Sequence, residues 1–224
     1  MQKHVLPRRC YLALLLVACL LFPTCTLAAE ADVITFADPV VESRIRKILE
    51  KPEGAITAAE METITSFVYQ PLNEWFRENP GEVYDPETLT FDTIEDISDL
   101  RHLTNLTELS LNGQPITSLD ALTDLHKLEE VYLHGCNSID GLDALAGKEN
   151  LHTVWINDTG VEDASAVFQL PNLRNFNASW GTYITDISDL EGKDTLETFM
   201  LMYTDVDYTP LTSHKNLQNL SMSF

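Results

Sequence analysis

The stretch LTELSLNGQPITSLDALTDL, residues Leu106 to Leu125, decides how the chain is read. Its apolar residues fall at Leu106, Leu109, Leu111, Ile116, Leu119, Leu122 and Leu125. A helix repeats its apolar face about every 3.6 residues and a half-buried strand every 2, and this spacing follows neither for long. It opens with a strand-like alternation and then steps by three. The same block restarts at Leu128, Leu151, Leu173, Leu196 and Leu217, at intervals of 22, 23, 22, 23 and 21 residues. A fixed period of that length is the mark of a solenoid, in which each unit buries its apolar face only against its neighbours.

Within each block the fourth and sixth residues point to the same side of a short strand. These pairs are Leu109/Leu111, Val131/Leu133, Val154/Ile156, Phe176/Ala178, Phe199/Leu201 and Leu220/Met222. Ile116, Ile139, Val161, Ile184 and Val206 then turn the chain back under the core, and residues such as Leu119/Leu122 and Leu142/Leu145 line its return. The block resembles the leucine-rich repeat, whose period is about 20–29 residues. That resemblance implies an α/β fold: a right-handed solenoid with one parallel sheet on its concave side. Gln114, Cys136, Thr159, Gly181 and Thr204 occupy the buried turn position where such repeats usually hold Asn. The convex side weakens where Asp207-Tyr208-Thr209-Pro210 replaces the apolar step, which predicts irregular turns there and not long helices.

Upstream, Asp38-Pro39 opens a helical pattern through Val40, Val41, Ile45, Ile48 and Leu49, with Asp38 as N-cap and Pro39 at the first helical position. Lys51-Pro52-Glu53-Gly54 ends it. Thr57 with Glu60 three residues on is a capping-box signature, and it predicts a second helix whose apolar face is Met61, Ile64, Phe67 and Val68. Phe36-Ala37-Asp38-Pro39, Ile45-Arg46-Lys47-Ile48-Leu49, Lys51-Pro52-Glu53-Gly54 and Ile56-Thr57 resemble the helical N-terminal cap of internalin-type bacterial leucine-rich repeat proteins. With the repeats, the resemblance covers residues 33–224. It implies a protein-binding module, with adhesion or host interaction as its setting. The family's LPxTG wall-sorting motif does not occur in this sequence.

Breaker pairs at Gln70-Pro71, Asn79-Pro80-Gly81 and Asp85-Pro86 surround a short helical pattern, Leu72 to Arg77, and read as an insertion. The expected organisation is a signal peptide at 1–29, a helical cap at 30–68, an insertion at 69–88, and an array of about six repeats at 89–224 without a C-terminal cap. In the leader, Lys3, Arg8 and Arg9 precede the apolar run Tyr11–Phe22, and cleavage is expected after Ala28 or Ala29. A second reading lies inside it: Leu16-Val17-Ala18-Cys19 resembles a lipobox, which would anchor the chain on the envelope through Cys19. The expected location is therefore secreted, or else lipid-anchored. Ordinary cleavage leaves Cys136 as the one cysteine, read as a small buried residue.

The chain has 35 acidic and 14 basic residues, a net charge of −21. Such a surface disfavours phosphate backbones and anionic headgroups, so nucleic acid and membrane surfaces are poor partners. From Glu82 to Asp99 there are seven acids and no base, but no calcium-loop spacing. No HExxH, G-x-S-x-G or P-loop occurs, and no cofactor, metal site or enzymatic activity is expected.

Strand residues between the buried ones face the concave surface in three columns. They run Glu108, Glu130, Thr153, Asn175, Thr198, Asn219; then Ser110, Tyr132, Trp155, Asn177, Met200, Ser221; then Asn112, His134, Asn157, Ser179, Met202, Ser223. The core needs none of these. Tyr132, His134, Trp155, Asn157, Asn177, Met200 and Met202 nonetheless have the composition of an interface centre, and they are the candidate ligand-binding residues. A protein ligand is expected, a glycan less so. The rival reading is a structural subunit of an envelope complex, with self-association through the edge Leu217–Phe224.

Overall fold

Seven parallel strands form one sheet in strict chain order: β1 Ser66–Val68, β2 Glu108–Ser110, β3 Glu130–Tyr132, β4 Thr153–Trp155, β5 Asn175–Asn177, β6 Thr198–Met202 and β7 Asn219–Ser223. This computed structural model describes residues 32–202 and 205–223, and everything below concerns the unit that begins at Val33. The signal-peptide reading, Cys19 and Thr204 lie outside the described residues.

The register follows the repeat spacing. Leu109 pairs with Val131, Val131 with Val154, Val154 with Phe176, Phe176 with Phe199 and Phe199 with Leu220. A slip of one residue would turn every buried side chain to solvent, so the apolar pattern alone fixes this pairing. At roughly 1.5–3 kcal/mol per buried aliphatic side chain, each coil gains several kcal/mol, but only with a neighbour in place. The core changes character along the array. Aliphatic in the early coils, it becomes aromatic later, where Phe168 meets Phe176 edge-on at 4.9 Å and Phe176 stacks on Phe199 at 5.6 Å. Leu220 and Met222 occupy positions buried in the earlier coils but are 44% and 41% exposed.

The convex side is made of short 3-10 turns, such as Asp120–Leu122, Asp143–Leu145 and Ser188–Leu190, with a single helical turn at Ser165–Phe168. Three- and four-residue elements suit a period of 21–23 residues, which leaves no length for a full helix.

The first helix, α1 (Pro39–Ile48), begins as its sequence predicts, with the Asp38 carboxylate accepting from the Val40 and Val41 amides at 2.7 and 3.2 Å. The other Asp38 oxygen accepts from the Glu95 and Asp96 amides at 3.0 and 3.2 Å. Asp99, also buried, accepts from the Ala37 amide at 2.6 Å. Two buried carboxylates, satisfied by backbone N–H groups, thus fasten the cap to the first coil.

The second predicted helix is shorter than expected. It keeps its capping box, but α2 spans only Ala58–Met61, and residues 66–68 are strand β1, paired with β2. Thr63, Ile64 and Thr65 are β-branched, and the free hydrogen-bonding edge of β2 lies alongside. Phe67 is fully buried, as a strand residue in register with Leu109 and not on a helix face. Ile64, Phe67 and Tyr69 therefore stand where Leu106, Leu109 and Leu111 stand one coil later. The first coil is complete, but residues 70–93 loop out of it between its strand and its return at Ile94. That insertion carries α3 (Pro71–Glu78), whose Glu74 pairs with Arg44 at 2.6 Å and Lys47 at 2.7 Å on α1.

Candidate functional site

All seven candidate residues lie on β3 to β6, alternating with the buried residues, or in the turn that follows each strand. Tyr132 and Trp155 are register partners on neighbouring strands, and their rings meet edge to face, centroids 5.2 Å apart at 84°. Trp155 keeps 42% of its surface open while Tyr132 is half-buried beside it. The Tyr132 hydroxyl donates to Glu130 Oε2 at 2.6 Å. Burial raises the tyrosine pKa, and the hydrogen bond to Glu130 and the charges of Glu130 and Glu108 add to the shift. Tyr132 is therefore a neutral donor throughout the physiological range.

In the same column, Asn177 follows Trp155 and Met200 follows Asn177. The Asn177 side-chain carbonyl accepts from Asn157 Nδ2 at 2.7 Å and from the Ser179 amide at 3.1 Å. This pair serves as a bracket that holds the turn after β5, so Asn157 and Asn177 contact each other before any ligand. Met202 accepts from the Ser221 hydroxyl at 3.3 Å, and Met200 lies half-exposed beside Asn177. His134 is exposed in the turn after β3, its backbone amide donating to Asn112 Oδ1 at 2.9 Å. The first column is polar throughout: Ser66 donates to Glu108 at 2.7 Å, and Asn175 to Thr153 at 3.2 Å.

Two exposed aromatic residues were not among those singled out from the sequence. Trp180 and Tyr183 are 56% and 65% exposed, just past the end of β5. The residue after the third column takes a left-handed conformation in each of four coils: Gly113 at φ 73°, Gly135 at 75°, Asp158 at 54° and Trp180 at 65°. Gly181 follows at φ 62° as the extra residue of its 23-residue unit. The buried turn position consequently shifts by one. Thr182 and not Gly181 fills it, donating to the Ala178 carbonyl at 2.6 Å, as Thr159 donates to Ile156 at 2.8 Å. Cys136 holds the same position, its thiol donating to the Leu111 carbonyl at 3.0 Å, and burial pushes its pKa up to about 11.

A polar ladder does exist, at the opposite end of the strands, interrupted in one coil where Lys127 donates to the Asn105 side chain at 2.6 Å. Asn105, Asn150, Asn172 and Asn216, each just before the first leucine of a block, donate to the carbonyls of Glu62, His126, Glu149 and Asp194 at 2.6–3.0 Å. Thr195 takes the same place with its hydroxyl. Lys148, fully buried, aims its ammonium at three carbonyls of the coil before it: Leu122 at 2.7 Å, Thr123 at 3.0 Å and Leu125 at 3.2 Å.

Among the described residues, no group of three or more His, Cys, Asp or Glu could hold a metal ion, and no helix is long and apolar enough to cross a membrane. Repeating coils stacked on one parallel sheet behind a helical cap define the leucine-rich-repeat fold. Residues 104–147 match the leucine-rich repeat family as two copies. Among solved structures, internalin C2 from Listeria monocytogenes is similar at 20% identity and a TM-score of 0.59, over 84% of this chain and 94% of that one. An internalin (inlF) from the same species is similar at 22% identity and a TM-score of 0.50, over 88% of this chain and 73% of that one. No curated protein matches the chain by sequence. Likeness at this level of identity is likeness of fold.

Proposed function

We propose that this protein is an exported module, secreted or held at the cell surface, that binds a protein partner on its concave face. The observation that carries the reading is the Tyr132–Trp155 pair. A cross-strand aromatic pair contributes roughly 0.2–1 kcal/mol to a sheet whether or not it is exposed. Stability alone therefore does not account for a tryptophan left 42% open between Tyr132 and the half-exposed Asn177. Large aromatic side chains flanked by Asn, Met and His supply apolar area and adaptable hydrogen bonds at low conformational cost. Adhesion or host interaction is the setting proposed by analogy with the internalin fold. The leader read from the sequence supports export.

The test is affinity capture on intact host cells and, separately, on envelope extracts, with wild-type protein and a Tyr132→Ala/Trp155→Ala double variant. Wild type is expected to retain a partner that the double variant loses, while thermal stability falls by less than about 1 kcal/mol. Equal retention by both proteins would overturn the concave-face reading. Capture from envelope extracts alone would overturn the host-interaction setting.

A further inference from the structure

The insertion builds something the repeat does not require. Helix α3 has no fully buried residue, and Trp75, Phe76, Tyr84 and Phe91 pack mainly on one another, with Tyr84 stacked on Phe91 at 6.1 Å. Where the insertion leaves β1 and where it returns, it stands over the turns that follow β2 and β3. Between them lies a cavity of about 450 Å³ whose wall includes Pro71, Leu72, Phe91, Asp92, Gly113 and His134. The volume falls in the range of about 300–1,000 Å³ typical of ligand sites, and the mix of apolar walls with a few polar groups is likewise typical. A Cβ added to Gly113 would meet nothing within 4 Å, so the backbone there borders open space. His134 lies both in this wall and in the third concave column, which makes the cavity continuous with the concave face.

The charge around it has one sign. No Lys or Arg lines the cavity, and none stands in the three concave columns. Asp92 is in the wall, and Glu108 and Glu130, register partners on β2 and β3, stand four residues before Asn112 and His134, about 13 Å along the strands from the cavity. Arg44 and Lys47 pair with Glu74 of α3, and Arg77 of the same helix is not in the cavity wall. Like charges on adjacent strands repel, and a cationic partner would relieve that repulsion.

We propose that this cavity is the anchor pocket for a basic segment of the protein partner. A large apolar side chain of that segment enters between Leu72 and Phe91, and flanking Lys or Arg residues face Asp92, Glu108 and Glu130. The assignment rests on the concave-face reading and names the chemistry of its ligand. The buried anchor supplies most of the affinity, while the charges supply orientation, on-rate and salt dependence.

The test is an NMR titration of the isotope-labelled protein with the synthetic peptide Lys-Arg-Trp-Lys-Arg, against Glu-Glu-Trp-Glu-Glu and Lys-Arg-Ala-Lys-Arg as controls. The basic aromatic peptide is expected to shift the amides of Leu72, Asp92, Gly113 and His134, and the two controls to bind at least about tenfold more weakly. Gly113→Asn, a residue that tolerates the left-handed conformation, should plug the mouth and weaken binding about tenfold. Leu72→Gln keeps the helix, removes an apolar wall, and serves if the first variant fails to fold. Asp92→Asn should weaken binding about threefold and flatten its salt dependence. Equal binding of the acidic peptide, shifts centred on Trp155 with none at Leu72 or Gly113, or no binding at all would overturn the pocket. Each of those results leaves capture through Tyr132 and Trp155 to stand or fall separately.

Discussion

The two edges of the sheet are built differently. At the edge where the strands begin, one device recurs in most coils: an Asn or Thr before the leading leucine donates to a carbonyl of the previous coil, backed in two coils by Lys148 and Lys193. At the edge where the strands end, nearly every coil differs. Gly, Gly, Asp and Trp share one left-handed position; Gln, Cys, Thr and Thr share the buried one; and an insertion leaves the first coil there. The regular edge holds the stack together. The variable edge carries the cavity, Trp180 and His134, which are the features a partner would meet. Loop positions on a rigid scaffold can vary because the scaffold does not need them.

The largest expected effect falls on the regular edge. Lys148→Ala removes three hydrogen bonds from a buried ammonium to carbonyls of the coil before, and leaves those of Leu122 and Leu125 with only their backbone amide donors. Hydrogen bonds from a charged donor contribute about 1.5–3 kcal/mol, so a loss of about 2–3 kcal/mol is expected, read as a lower urea midpoint with an unchanged slope. A loss under about 0.5 kcal/mol would mean that this edge tolerates change as freely as the other.

Next comes a contrast between two glycines of the variable edge. An alanine at Gly113 meets open space and bears only the cost of its left-handed backbone, about 1 kcal/mol. An alanine at Gly181 bears the same cost, and its Cβ also comes 2.9 Å from the Asp158 Cα of the coil before, where backbone must shift. About 2 kcal/mol is expected for Gly181→Ala, measured in the same unfolding assay. Equal losses at the two sites would show that the extra residue is not wedged against its neighbour.

The same contrast explains what could be read from the chain alone. The core, the register and the concave columns were legible because a period-2 strand admits only one assignment of faces once its leucines are placed. Strand β1 was not, since Met61, Ile64, Phe67 and Val68 also fit a helical face and the rest of their coil resumes only at Ile94. The Asn ladder was missed because an Asn before a leucine, seen singly, looks like an ordinary surface residue. Its carbonyl partner lies about twenty residues away in sequence on the adjoining coil. Trp180 was missed for a local reason. An interval of 23 residues says that one residue is extra, but not which residue takes the left-handed turn that accommodates it.

Trp180 gives the smallest expected change and the sharpest test of the division between edges. A bulky side chain at φ 65° is held in a conformation that costs roughly 1–2 kcal/mol, at a position where two earlier coils use glycine. Its ring, more than half exposed, regains only part of that by burial. Trp180→Gly removes the backbone strain, but it gives up the covered part of the ring and adds about 0.5–1 kcal/mol of chain entropy to the unfolded state, so gain and losses largely offset one another. Unfolding should shift by less than about 1 kcal/mol in either direction, while capture of the partner on the concave face weakens. If Trp180→Gly lowered stability by 2 kcal/mol or more with capture unchanged, the ring would be a structural plug, and the binding surface would end at Trp155.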